Sequence, residues 1–248
     1  MQTPLRSLVA LPVFNEENHI IDVIQEVKKH CDEILVVDDG STDGTAKVLQ
    51  SLPNIHILTH PENRGYGAAL KSAFDYAVEK QYDVIVTIDC DGQHEPRLIP
   101  ELIQQVFPAE EEPVDIVSGS RYLKTFTGDS TPPEDRQKIN QQITQIVNDR
   151  LGLSLTDTFC GFKAYRVEAL QHIDITELGY ALPMQFWAQA VLAGLKIIEF
   201  PVPLVYLEEE RSFGGSLDDS QIRLAYYLEV LERELPSPAV SCSQEKNI

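Results

Sequence analysis

The stretch YDVIVTIDCDGQH, Tyr82 to His94, decides the fold. Val84 to Ile88 is apolar or β-branched throughout, the pattern of a strand buried on both faces, and it stops at two carboxylates, Asp89 and Asp91. Extended backbone would throw those side chains to opposite faces, so Cys90-Asp91-Gly92 must bend if both are to reach one ion. Gly92 allows the bend, and Gln93 and His94 add donor atoms. Such an oxygen-rich cluster suits Mg²⁺ or Mn²⁺, which prefer carboxylate, amide and water oxygens. Solvated aspartates in a strand-ending turn are the plain alternative.

Upstream, strands and helices alternate. Ser7 to Phe14 is a short apolar strand that Pro12 interrupts, which predicts a strand opening into a loop rather than a mid-sheet element, with Asn15 and Glu16 at its end. Glu17 to Lys29 carries Ile20, Ile21, Val23, Ile24 and Val27 at helical spacing. A second strand, Glu33 to Val37, runs into Asp38-Asp39-Gly40-Ser41, and Thr42 or Asp43 can cap the helix after it. Ile55 to Leu58 is a third strand and Gly65 to Val78 a third helix. This alternation predicts a parallel, doubly wound sheet, in which ligands bind at the carboxyl ends of the strands. Asn15/Glu16, Asp38/Asp39 and Asp89/Asp91 all fall at such ends, a convergence that unrelated surface turns do not predict.

Length and composition bound the function. With 248 residues, 43% of them hydrophobic, the chain can bury a full core in one generous α/β domain. Its 39 acidic and 20 basic residues give a net charge of -19, which argues against nucleic-acid binding and against adsorption to anionic lipid. Cys31, Cys90, Cys160 and Cys242 lie far apart without metal-finger spacing, as expected of reduced thiols in a cytoplasmic protein. No apolar run approaches a membrane span and the first residues do not read as a secretory signal, so a soluble protein is expected.

Gly65-Tyr66-Gly67 follows a strand and opens a helix, as a dinucleotide fingerprint does, but Leu70 stands at the third glycine and the strand is the third, not the first. A phosphate-tolerant loop or a close-packed helix start fits better. Asn63 and Arg64 before it could touch a nucleotide or only cap the turn. Taken together, PVFNEE (Pro12–Glu17), VVDDGSTDGT (Val36–Thr45), NRGYGAAL (Asn63–Leu70) and DCDGQH (Asp89–His94) resemble, in order and spacing, the family 2 glycosyltransferases with the GT-A fold. GSRY (Gly119–Tyr122), TDTFCGFKAYR (Thr156–Arg166) and RSFGGS (Arg211–Ser216) are similar to the polyprenyl-phosphate (dolichyl-phosphate) hexosyltransferases within it. The resemblance spans about residues 7 to 230 and implies a Rossmann-like, mostly parallel sheet flanked by helices. It also implies inverting transfer of a hexose from a nucleotide diphosphate sugar, of the GDP-mannose or UDP-glucose type, to a polyprenyl phosphate.

That chemistry asks for the residues present. A leaving nucleoside diphosphate is concentrated negative charge, and a divalent ion on Asp89, Asp91 and Gln93 would neutralise it and act as a Lewis acid. The resemblance puts Asp39 on the base or ribose, with Pro12, Asn15 and Glu16 nearby, and leaves Asp38 free to be structural. The strand Asp115 to Ser120 delivers Arg121 to its carboxyl end, where a guanidinium can pair bidentately with phosphate. Arg211, in a glycine-flanked loop, could close over the donor diphosphate together with Ser216. A phosphate acceptor is largely dianionic at neutral pH, with a second pKa near ~6, and needs no general base. A hydroxyl acceptor needs one, and Asp157 is the candidate, with a turn or cap role as its alternative.

Departures from the family pattern concentrate on the acceptor side. The helix RQKINQQITQIVNDRL carries Ile139, Ile143, Ile146 and Val147 on one face, and its other face is glutamine-rich and nearly neutral where a membrane-surface enzyme would be more apolar and basic. Leu217 stands where lysine often follows the serine of the arginine loop. A soluble, glycan or protein acceptor is therefore the first alternative and a catalytically silent nucleotide-sugar binding module the second. A nucleotidyltransferase would carry a glycine-rich loop and a basic residue where this chain has PVFNEE. Pro183 to Leu195 reads as a buried helix with Trp187 in the core, and Lys196 to Tyr206 as a Pro-broken edge strand. Leu217 to Leu235 is a long helix available for core packing, a homodimer contact or a peripheral contact at the inner membrane face, the last weakened by its acidic side. The expected organisation is one domain, 1–235, with a nucleotide-sugar and metal-binding half at 7–122, an acceptor-side half at 123–235 and a disordered tail at 236–248. His19, His30, His56, His60 and His172 show no mutual spacing that suggests a site.

Overall fold

The computed structural model describes residues 5–132, 134–207 and 215–235. Its strands are β1 (Ser7–Val13), β2 (Ile34–Asp38), β3 (His56–Thr59), β4 (Val84–Thr87), β5 (Ile116–Ser120), β6 (Lys163–Arg166) and β7 (Ile197–Pro201). They form one sheet in the order β3-β2-β1-β4-β6-β5-β7, parallel throughout except for β6, which runs antiparallel to both β4 and β5. The α-helices are α1 (Ile20–Val27), α2 (Thr45–Ser51), α3 (Tyr66–Glu79), α4 (Ile99–Val106), α5 (Glu134–Leu151), α6 (Leu182–Leu192) and α7 (Ser220–Glu234).

Unbroken apolar runs in the central strands follow from burial on two faces. Leu8, Ala10, Leu35, Val37 and Ile85 pack with α3, α6 and α7, while Val9, Leu11, Val36, Val84 and Val86 pack with α1 and α4. The isoleucine stripe of α5 turns inward, with Ile143 and Val147 fully buried. Trp187 is core, 1% exposed, and its indole N–H donates to the Thr158 carbonyl at 3.1 Å. β7 lies at an edge of the sheet, as Pro201 at its end and Pro203 just beyond suggest.

Two expectations need correction. β1 lies inside the sheet, between β2 and β4, despite Pro12. Val9 and Val13 bond toward β2, so by alternation Pro12 faces the other side, where the β4 ladder has already ended at Thr87, paired with Ala10. The N–H that proline lacks therefore has no ladder partner to lose. Strand alternation also gave no reason to expect an antiparallel β6. α5 packs against α6 and α7 instead of running back along the sheet as a crossover helix, so the chain re-enters from the edge at which β5 ended.

The Gly65-Tyr66-Gly67 turn is a close-packed helix start. Gly65 has φ +104°, and a Cβ there would stand 2.4 Å from the Leu178 carbonyl oxygen; one on Gly67 would stand 2.3 Å from that of Glu177. α2 starts at Thr45, later than expected, and the Thr45 N–H is satisfied by Asp43 Oδ1 at 2.9 Å.

Candidate active site

The carboxyl ends of β1, β2, β4 and β5 surround a cleft of about 870 Å³. Pro12, Asn15 and Glu16 line it from the end of β1. Asn15 takes the left-handed conformation, φ 57°, and stitches two loops together: its Oδ1 accepts the Thr42 N–H at 2.8 Å and its own N–H donates to Ser41 Oγ at 3.0 Å. Asp38 is buried and accepts the Ser41 N–H at 3.0 Å, a structural role. Asp39, next in the chain, lines the cleft. Its carboxylate accepts the main-chain N–H groups of Arg64 and Gly65 at 3.0 and 2.8 Å and meets His60 Nδ1 at 2.5 Å. Arg64 thus serves Asp39 through its backbone, and its exposed side chain is not among the groups lining the cleft.

Asp89, Asp91 and Gln93 line the same cleft just beyond β4. Gly92 has φ +72°, which bends the chain as Asp-x-Asp requires, and Asp91 Oδ1 accepts the Gln93 N–H at 3.0 Å. Asp89 accepts the Tyr66 hydroxyl at 3.2 Å and faces His94 Nε2 at 3.2 Å. Burial pushes the Asp89 carboxyl up, but the bond to His94, its charge and the Tyr66 hydroxyl outweigh it and the pKa falls below the usual range. Gly161 lets the neighbouring turn approach this carboxylate: a Cβ there would lie 2.1 Å from Asp89 Oδ2. Among the described residues no three His, Cys, Asp or Glu side chains gather as a ready-made metal site. Two carboxylates and an amide fit a hard cation that keeps waters and substrate phosphates in its shell, as Mg²⁺ and Mn²⁺ do.

Arg121, at the end of β5, lines the cleft with its guanidinium clamped from behind. Its Nε and Nη2 donate to the two oxygens of Asp157 at 2.7 and 3.0 Å, a bidentate pair. Asp157 is fully buried and also accepts from Asn140 Nδ2 and the Phe159 N–H, both at 3.1 Å. Burial pushes this carboxyl up, the guanidinium beside it and the hydrogen bonds from Arg121, Asn140 and the Phe159 N–H pull it further down, and its pKa settles at about 2. Glu199 on β7 fixes the turn beneath by accepting the main-chain N–H groups of Thr156 and Asp157 at 2.8 and 3.0 Å.

Of the remaining sequence candidates, Arg211 lies outside the described residues and Ser216 belongs to the short 3₁₀ helix Gly215–Asp218. A second cleft-lining arginine, Arg223 on α7, escaped the sequence reading; it is 4% exposed and its Nη1 donates to the Leu217 carbonyl at 2.6 Å. The available signal was its helical phase, four residues before the buried Tyr227. No helix among the described residues is long and apolar enough to cross a membrane.

Residues 8–174 match the family described as Glycosyl transferase family 2. The chain is 30% identical over 233 residues to the polyprenol monophosphomannose synthase of Mycolicibacterium smegmatis, covering 90% of this chain and 84% of that one. It is 29% identical over 231 residues to the undecaprenyl-phosphate mannosyltransferase of Micrococcus luteus, covering 89% and 93%. Glucosyl-3-phosphoglycerate synthase from Mycobacterium tuberculosis, solved with Mn²⁺, UDP and glucosyl-3-phosphoglycerate, superposes with a TM-score of 0.69 at 20% identity over 94% of this chain and 82% of that one. At that identity the likeness is one of fold, the GT-A fold. A match over more than half of the chain, on a sheet whose strand ends gather the expected motifs into one cleft, makes this protein a member of glycosyl transferase family 2.

Proposed function

We propose that the chain moves a hexose, with inversion, from a nucleoside diphosphate sugar of the GDP-mannose or UDP-glucose type to a polyprenyl phosphate, with Mg²⁺ or Mn²⁺ bound. The observation that carries the acceptor half is the Arg121 guanidinium, held in the cleft by a buried Asp157 and sharing that cleft with Asp89 and Asp91. Asp89, Asp91 and Gln93 would hold the metal, and when bound it would supply charge neutralisation for the departing diphosphate. Asp39 would take the base or ribose, with Pro12, Asn15 and Glu16 shaping that end. Arg121 would orient an acceptor phosphate, with Arg211 and Ser216 closing on the donor.

Asp157 bears on the class of acceptor. With a pKa of about 2 and both oxygens committed to Arg121 and Asn140, it is a weak proton acceptor, so its role is to position Arg121 rather than to activate a hydroxyl. A phosphate dianion needs no such activation. Relatives named for polyprenol and undecaprenyl-phosphate chemistry agree with this reading, and the fold neighbour has been crystallised with either Mn²⁺ or Mg²⁺ and UDP. A lipid acceptor would place the protein peripherally at the inner membrane face. The neutral outer face of α5 and Leu217 favour, as a second reading, a soluble phosphorylated acceptor on the same site.

Calorimetry with UDP- and GDP-sugars, in Mn²⁺, Mg²⁺ or chelator, followed by transfer assays with a short-chain polyprenyl phosphate and with a soluble phosphomonoester, tests both halves. One donor should bind only with metal, and the lipid phosphate should be glycosylated. Metal-dependent binding with transfer only to the soluble ester would move the acceptor to the second reading. Absence of donor binding under every condition would sink the assignment.

A further inference from the structure

His60 was passed over in the sequence, yet it stands directly behind the cleft-lining Asp39. It follows β3 directly, and its N–H donates to the Asp38 carbonyl at 2.9 Å, extending the β2–β3 ladder by one step. Its ring is 4% exposed, with Nδ1 2.5 Å from Asp39 Oδ1 and Nε2 2.8 Å from Ser72 Oγ on α3. A carboxylate oxygen accepts, so Nδ1 is the donor to Asp39, and Nε2 is hydrogen-bonded to the Ser72 hydroxyl. Ser72 thereby holds the ring in the orientation that Asp39 requires.

The Asp39 carboxylate is thus gripped by three donors, His60 Nδ1–H and the N–H groups of Arg64 and Gly65. A carboxylate offers about four lone-pair sites, so roughly one remains on the side that lines the cleft. A fixed acceptor of this kind distinguishes bases by what they present. Uracil and guanine offer a ring N–H flanked by carbonyl or amino groups, whereas cytosine and adenine offer a ring-nitrogen lone pair that the carboxylate repels.

We propose that His60, backed by Ser72, is a positioning residue that locks Asp39 as a reader of a nucleobase ring N–H and so restricts the donor to uracil or guanine nucleotides. The inference rests on the proposed donor site and adds to it a mechanism of base selection. It is tested by calorimetry of the full chain with Mn²⁺ and UDP, GDP, CDP, ADP or pyrophosphate. The wild type should favour UDP or GDP over CDP and ADP. His60→Leu should reduce that preference by about tenfold or more and leave pyrophosphate affinity unchanged, because only a hydrogen bond to a charged group has been removed. His60→Asn, whose amide can reach the Nδ1 position, should restore the preference. Ser72→Ala, which leaves the buried ring in place, should give a smaller loss and serves where His60→Leu does not fold. Equal loss for all five ligands, or an unchanged base preference in both His60→Leu and Ser72→Ala, overturns the inference while leaving the transferase reading intact. Failure of the wild type to bind any nucleotide removes both.

Discussion

Replacing Asp157 by Asn removes one charge and almost no volume, so its consequences can be worked from the ion pair. The folded carboxyl has a pKa of about 2 against the ordinary aspartate value of 3.8. A difference of roughly 2 pKa units at about 1.4 kcal/mol each corresponds to about 2–3 kcal/mol of stability at neutral pH. The sign is fixed: the folded carboxyl is the more acidic, so the stabilisation is complete above the unfolded pKa near ~4 and is lost as pH falls through about 2. Leaving the Arg121 guanidinium without its counter-charge can raise the cost toward ~3–5 kcal/mol, the range for breaking a buried pair. Urea unfolding at pH 7 should show the Asn variant less stable by about 2–5 kcal/mol with an unchanged slope, and about half of the carboxylate's contribution should be gone near pH ~3. Under conditions where the variant is fully folded, turnover should fall by up to about a hundredfold with donor affinity preserved, because a misaimed guanidinium harms positioning. A variant with wild-type stability at pH 7, the same acid dependence and the same turnover would refute the reasoning.

Three further outcomes follow from the same geometry. Asp91→Ala should abolish metal-dependent donor binding, and unchanged Mn²⁺ dependence in calorimetry would remove Asp91 from the site. Gly161→Ala should cost about 1–3 kcal/mol and weaken metal-dependent donor binding, since its Cβ falls 2.1 Å from Asp89 Oδ2; wild-type values for both in a urea titration and a calorimetric run would show that the turn yields freely. Arg211→Ala should slow transfer more than it lowers the melting temperature, and wild-type turnover would relegate that loop to structure.

The cluster proposed as the donor half of the site was legible because each of its parts is local. An apolar run announces a doubly buried strand, the carboxylates after it mark the strand's carboxyl end, and a parallel sheet brings those ends together, which is how the sequence alone groups Asn15, Asp39, Asp89 and Asp91. What escaped was decided by long-range packing. Arg121 and Asp157 stand 36 residues apart and look like two unrelated site residues until β5 and the turn before β6 are neighbours. Among the described residues His60 pairs with no other histidine, and its partners Asp39 and Ser72 belong to β2's end and to α3. Pro12 read as a break in β1 because a missing donor matters only where a ladder is present, and the length of β4 is not written in β1.

The antiparallel β6 is the departure from strand alternation with the largest consequence for function. Entering β6 from the carboxyl edge puts the turn 157–162 between the two halves of the cleft, and that turn is held on every side. Gly161 abuts Asp89 and its carbonyl accepts the Thr87 hydroxyl of β4 at 2.7 Å. The Phe162 carbonyl accepts the Gly119 N–H of β5 at 2.9 Å, the Thr158 carbonyl accepts the Trp187 indole, and Glu199 of β7 holds the Thr156 and Asp157 amides. Lys163, buried with its pKa pushed down by burial, donates from below to the Cys160 carbonyl. One segment therefore touches the proposed metal carboxylate and carries the counter-ion of the proposed acceptor arginine. Transfer between a donor and an acceptor rewards fixed relative placement far more than it rewards either contact alone. Had the chain entered β6 from the opposite edge to lie parallel, the turn leading into it would lie at the amino ends of the strands, in reach of neither Asp89 nor Arg121.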